Sequence, residues 1–218
     1  MRAEPRLRVF FLCGVKMKTA ILVDGGYYRK LAKHYAGEKT PLERAAELES
    51  YCRKHLRNRD VFTIDEKKQR HYQYSDLYRI FYYDCEPVAK KVYHPLLKTS
   101  IDFSKQPTFK WMNDFLVCLK EKRKFALRLG FLAGEEAFYT LDNSILKKFF
   151  RKEIRVDDIT EKDFFVTIRQ KGVDMKIGLD IASLAYKKQV DQIVLIAGDS
   201  DFVPAAKLAR REGIDFIL

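Results

Sequence analysis

Two uninterrupted apolar runs constrain this chain more than any other feature. Thr19-Ala20-Ile21-Leu22-Val23 leads into Asp24-Gly25-Gly26, and Gln192-Ile193-Val194-Leu195-Ile196-Ala197 leads into Gly198-Asp199-Ser200-Asp201-Phe202. A strand with one wet face alternates apolar and polar residues. A run that is apolar throughout instead fits a strand covered on both faces, as in a parallel sheet. Glycine close behind each run marks a tight turn at the carboxyl end of the strand. Residues 77–84, rich in aromatic side chains and ending in Asp84, read as a further strand, as do 125–132 and 214–218.

Helical patterns lie between these runs. Residues 27–35 form one such pattern, which Gly37 terminates, and a second helix starts at Pro41 and reaches about residue 56, with Glu43, Arg44, Glu47 and Glu49 on its outer face. Residues 109–122 carry Trp111, Phe115, Cys118 and Leu119 on one side, and 173–188 carry Ile177, Ile181, Leu184 and Ala185 at helical spacing. A last helix spans 202–211, with Pro204 in its first turn and Gly213 closing it. Alternating strands and helices with short connections imply a mostly parallel central sheet between helical layers, an α/β architecture. Residues 85–105 read as turn-like and basic, and 134–170 as mixed, with a strand at 164–168. The expectation is one domain over 17–218 with an insertion around 85–165.

The ends carry expectations of their own. Residues 9–15 resemble the apolar core of a signal peptide, but Lys16 and Lys18 stand where small cleavage-site residues belong. Residues 1–16 therefore read as an extension, disordered or foreign to the natural chain, with Met17 a candidate start. The chain stops on a strand without a polar tail, which reads as truncation. No stretch approaches the roughly 18–20 apolar residues of a membrane span. Cys13, Cys52, Cys85 and Cys118 are scattered without a CxxC pair, so reduced thiols in a soluble, cytoplasmic protein are expected. His34, His55, His71 and His94 show no ligand spacing.

Open parallel sheets place their working residues beyond the carboxyl ends of the strands. Asp24, Asp84 and the pair Asp199 and Asp201 fall there, and Asp174 opens the helix leading to the last motif. Carboxylates crowded into one crevice repel each other unless a cation neutralises them, and Mg²⁺ or Mn²⁺ prefers oxygen ligands. A plainer reading stands beside each residue. Asp84 alone is better explained as a turn or cap residue, and Asp201 can cap the helix at Phe202. Asp24 has no helix-capping spacing to explain it. Asp180, six positions after Asp174, points in another direction and reads as a supporting or surface residue. Ser200 is a further supporting candidate. The formal charge of +12 favours polyanionic partners, of which nucleic acid is the commonest. Basic stretches at Lys90-Lys91, 120–128, Lys147-Lys148, Arg151-Lys152 and Lys187-Lys188 alternate with Tyr82, Tyr83, Tyr93, Phe149 and Phe150, a composition that suits single-stranded substrates but also ordinary solvated faces and core.

Taken in order, the Val23-Asp24-Gly25-Gly26 strand end, Lys171-Gly172-Val173-Asp174 with Leu179-Asp180, and Ala197-Gly198-Asp199-Ser200-Asp201-Phe202 resemble the NYN domain family, the LabA-like members of the PIN-like nucleases. The resemblance covers roughly residues 19–218. It implies a three-layer, Rossmann-like α/β/α fold and Mg²⁺- or Mn²⁺-dependent ribonuclease activity. Its acidic site, metal-binding and catalytic, would be Asp24, Asp174, Asp199 and Asp201. Many members carry an asparagine shortly after the first aspartate, where this chain has Gly26-Tyr27-Tyr28. A haloacid-dehalogenase-type phosphohydrolase would need a second aspartate two positions after the first, and Gly26 stands there. A dinucleotide-binding domain would need GxGxxG, which Gly25-Gly26 does not supply. The rival from another class is a catalytically silent RNA-binding or scaffold module on the same fold.

Overall fold

The apolar run at residues 19–23 becomes the centre of a six-stranded sheet, with Ala20, Ile21, Leu22 and Val23 all fully buried. The structure, a computed structural model, describes residues 16–64, 70–132, 137–168 and 170–218. The first half of the chain runs β1 (Lys18–Asp24), α1 (Gly25–Ala36), α2 (Pro41–Lys54), β2 (Arg57–Ile64), β3 (Arg70–Tyr74), β4 (Asp76–Cys85), β5 (Lys91–His94) and β6 (Thr99–Asp102). The second half runs α3 (Pro107–Lys120), β7 (Phe125–Leu132), β8 (Phe138–Leu141), α4 (Asn143–Phe150), β9 (Phe164–Thr167), β10 (Gln170–Lys171), α5 (Val173–Tyr186), β11 (Gln192–Ile196), α6 (Val203–Arg211) and β12 (Asp215–Ile217).

Successive side chains on a strand point to opposite faces, so an unbroken apolar strand needs a cover on both. Ala20 and Leu22 of β1, with Phe81 and Tyr83 of β4, pack against Ile177, Ile181 and Leu184 of α5 and Ala209 of α6. Ile21 and Val23, with Ile80 and Tyr82, pack on the other face against α1, α2 and α3 through Ala32, Leu48 and Phe115. The three-layer α/β/α arrangement follows directly from that double burial.

The sheet order is β10-β7-β4-β1-β11-β12. The five strands from β7 to β12 pair in parallel, and short β10 lies antiparallel to β7. The chain builds outward from β1 through β4 to β7, then returns by α5 to the opposite side of β1 as β11 and β12. That reversal opens a crevice outside the carboxyl ends of β1, β4 and β11, the usual place for a site in such sheets.

Local sequence explains several boundaries. Thr40 and Glu43 form a reciprocal capping box at the start of α2, with Pro41 in the first turn. Arg44 corrects the expected outer face of that helix: it is buried, donates to Glu47 at 2.8 Å and also bonds the Gly37 carbonyl. Residues 85–105, expected as turns, contain the antiparallel hairpin of β5 and β6. A second hairpin, β8 with β9, and helix α4 occupy the region read as mixed, and β2 pairs with β3. Within 85–165, α3 and β7 belong to the central layers. The two hairpins meet at His94, fully buried, whose ring centroid lies 4.3 Å from that of Tyr139 and 5.1 Å from that of Phe164. Its Nδ1 accepts from the Leu97 N–H. Residues 1–15, read as most of an extension, lie outside the described residues. Among the described residues no helix is long and apolar enough to cross a membrane.

Candidate active site

Asp24 is the last residue of β1 and sits half-buried in the crevice. It also caps α1, because its Oδ1 accepts from the Tyr27 N–H at 3.1 Å. Sequence spacing alone gives Asp24 no capping role, and the structure corrects that expectation: α1 begins at Gly25, two residues earlier than the pattern at 27–35 marks. That early start is possible only without a side chain at Gly25. A Cβ there would run into the Asp84 carboxylate and stand 2.5 Å from the Tyr82 hydroxyl oxygen.

Beyond β11, Gly198 makes a similar close approach. A Cβ at Gly198 would lie 2.6 Å from Cδ2 of Tyr27, so that ring packs directly on the turn preceding Asp199. Asp199 then caps the short 3-10 turn of residues 200–202 by accepting from the Asp201 N–H at 3.0 Å. The cap is therefore Asp199 and not Asp201, contrary to the expectation for Asp201. Asp199, Ser200 and Asp201 are all exposed in this turn.

Asp174 lies in the first turn of α5, two residues after Gly172, whose φ of 84° turns the chain from β10 into the helix. Its carboxyl is held above the usual aspartate range, first by loss of solvation in the crevice and then by the negative charges of Asp24, Asp199 and Asp201. Four carboxylates from three distant segments thus share one field. Their oxygen donors and mutual repulsion fit a hard divalent cation. Among the described residues no three His, Cys, Asp or Glu side chains stand together as a ready-made cage. The set fits by donor chemistry and charge, not as a closed coordination sphere.

Asp84 is neither a turn cap nor an open ligand. Its side chain is 2% exposed, its Oδ1 accepts from the Cys85 N–H at 2.8 Å, and its Oδ2 accepts from the Tyr82 hydroxyl at 2.8 Å. The Arg29 guanidinium, on α1, forms an ion pair with the same oxygen and also donates to the Tyr82 hydroxyl. Burial pushes the Tyr82 phenol up to about 12, against the pull of the Arg29 cation and with a further push from Asp24. Asp180, a supporting candidate, faces away from the cluster. It accepts from the Tyr83 hydroxyl at 2.8 Å and from Arg128 Nε at 2.9 Å, pinning α5 to β4 and β7.

Arg29 is the residue that sequence reasoning missed. The available signal was charge: an aspartate closing a buried apolar strand needs a cation, and Arg29 stands beside inward-facing Tyr28 and Ala32 on α1. Two of the aromatic candidates for stacking, Tyr82 and Tyr83, are fully buried, whereas Tyr93 and Phe150 are exposed.

Among solved structures, a protein of unknown function from Vibrio parahaemolyticus RIMD 2210633 is similar over 94% of this chain and 82% of its own, with 14% identity and a TM-score of 0.42. No curated protein matches. The family model described as NYN domain matches residues 18–218, nearly the whole chain. With its parallel sheet between two helical layers and its acidic strand ends, the chain belongs to the NYN domain family of the PIN-like nuclease superfamily.

Proposed function

We propose that this protein is a metal-dependent nuclease acting on RNA, with Asp24, Asp174, Asp199 and Asp201 as its metal-holding and catalytic residues. The observation that carries the reading is the convergence of Asp24, Asp199 and Asp201 on Asp174, close enough for their charges to add to the loss of solvation that holds its carboxyl above the usual aspartate range. Residues separated by up to 177 positions have no reason to crowd like charges unless something positive joins them. A Mg²⁺ or Mn²⁺ ion bound there would draw in a phosphodiester and acidify an attacking water.

The chain's own groups prepare that chemistry. Asp24 and Asp199 each spend an oxygen on a backbone N–H, which fixes the direction of the carboxylate. The Tyr27 ring lies over Gly198 and ties the two turns together. Asp84 and Arg29 brace the floor of the crevice one residue beyond Asp24. The net charge of +12 supports a polyanionic substrate. Single-stranded RNA fits the exposed aromatic residues Tyr93 and Phe150.

Incubating the purified protein with labelled single-stranded RNA and Mn²⁺, beside Asp199→Asn and a chelator control, tests the proposal. Cleavage lost in both controls supports it. RNA binding without cleavage in any sample overturns it in favour of a silent binding module. Single-stranded DNA of the same sequence tests the preference for RNA.

A further inference from the structure

Beside the aspartates the structure holds a cavity of about 550 Å³ that the nuclease reading does not use. It lies on the face of the sheet covered by α1 and α3, at the carboxyl end of β4. Its floor is shared with the crevice. Asp84 and Arg29 line it, and Gly25, in contact with Asp84, is the residue after Asp24. Cys85, another lining residue, feels the charges of both Arg29 and Asp174.

The walls divide into two kinds of surface. Val88, Phe103, Phe109, Trp111, Met112 and Leu132 form an apolar side with three aromatic rings. Trp111 is held by stacking on Phe115 with ring centroids 5.1 Å apart and by donating Nε1–H to the Lys39 carbonyl at 2.9 Å. Arg29, Lys33 and Arg44 oppose it, against the carboxylates of Asp84 and Glu38. Arg29 is the informative member. Its Nη1 is engaged by Asp84 and Tyr82, while its Nε and Nη2 have no acceptor among the described residues. A guanidinium fixed on one edge and open on the other is pre-set for a planar oxyanion contact, the geometry that favours phosphate. The volume lies within the range of small-molecule sites.

We infer that this cavity is a nucleotide subsite, in which a base stacks among Trp111, Phe103 and Phe109 while its phosphate meets Arg29 and Lys33. The inference rests on the proposed nuclease reading for its biological sense, since the subsite would seat a nucleotide next to the bond held at the aspartates. Its physical test is independent of catalysis. Trp111 is the only tryptophan in the chain, so intrinsic tryptophan fluorescence reports on this cavity alone.

Titration of the full chain in chelator with a nucleoside 5′-monophosphate, the unphosphorylated nucleoside and inorganic phosphate reads the site directly. A saturable change with the monophosphate, about tenfold tighter than with either fragment, is expected. Lys33→Glu, on an exposed side chain, and Arg29→Lys, which keeps the charge but loses the fork, should each weaken binding about tenfold, with folding checked by thermal unfolding. No saturable change up to about 10 mM monophosphate, or equal affinity in wild type and both variants, overturns the inference. RNA cleavage alongside a silent Trp111 removes the subsite and leaves the nuclease. Saturable nucleotide binding without cleavage supports the subsite and removes the nuclease.

Discussion

Replacing Arg29 with methionine isolates the ion pair that the structure adds to the acidic crevice. Asp84 is 2% exposed and would keep its hydrogen bonds from Tyr82 and Cys85, each 2.8 Å, but lose its countercharge. Removing one partner of a buried pair costs about 3–5 kcal/mol, because the remaining charge is stranded away from water. Arg29 is 28% exposed, so water can reach the gap, and the lower end of that range, about 3 kcal/mol, applies. For a domain of this size each kcal/mol moves Tm by about 2–4 °C, giving a fall of about 6–12 °C. Asp84→Asn in the same background removes the stranded charge while retaining the shape, and most of the loss should return. Thermal unfolding of wild type, both single variants and the double variant, all in chelator, gives the coupling between the two sites. A fall below about 2 °C for Arg29→Met, or a double variant no more stable than that single one, refutes the argument.

Other outcomes follow from neighbouring features. Gly25→Ala forces Asp84 and Tyr82 away from the start of α1 and should destabilise by about 1–3 kcal/mol, read by denaturant midpoint; an unchanged midpoint contradicts the close approach. Asp174 has a raised folded-state pKa, so the metal-free protein binds that proton more tightly than the unfolded chain does. Its contribution to stability is therefore favourable at acid pH and lost as pH rises through the raised value. Asp174→Asn should raise the neutral-pH Tm of chelated protein by about 1–2 °C, a small gain because the group is solvent-screened, and the gain should vanish below the ordinary aspartate pKa. A lower Tm at neutral pH contradicts the shared field. RNA binding should weaken about 50-fold for a fourfold rise in salt if four phosphates are neutralised, and salt-independent binding contradicts a charge-led interface.

The parts of this fold legible in the sequence are those whose burial is symmetrical. The apolar runs of β1 and β11 and the helical spacing of α5 report double-sided cover directly, and Asp24, Asp199 and Asp201 are visible where those two runs end. The hairpin of β5 and β6 was not legible, because Lys91, Tyr93 and Thr99 are exposed and its inward residues amount to little more than Val92 and His94. Helix α4 sets Ile145 with Phe149 and Leu146 with Phe150 at helical spacing, but it is only eight residues long and buries none of them fully, so the stripe is too short to stand out from the mixed sequence around it. Within the site, Asp24 was legible as a chemical group but not as a cap, since capping depends on α1 starting at a glycine that helix propensity disfavours. Arg29 was hidden because a charged residue on a surface helix ordinarily reads as solvated, and only the position of Asp84 across the sheet reveals its partner.

The capping bond from Asp24 to Tyr27 has a bearing on how relatives of this chain should be read. An oxygen-bearing side chain at that position is demanded by the backbone whether or not any phosphodiester is ever broken. A descendant that gave up chemistry would still be held to Asp, Asn or Ser there, while Asp174, which accepts no backbone donor among the described residues and suffers repulsion from its neighbours, would be free to drift. The residue at 174 is thus the better witness to a living enzyme, and the aspartate after the first strand the poorer one.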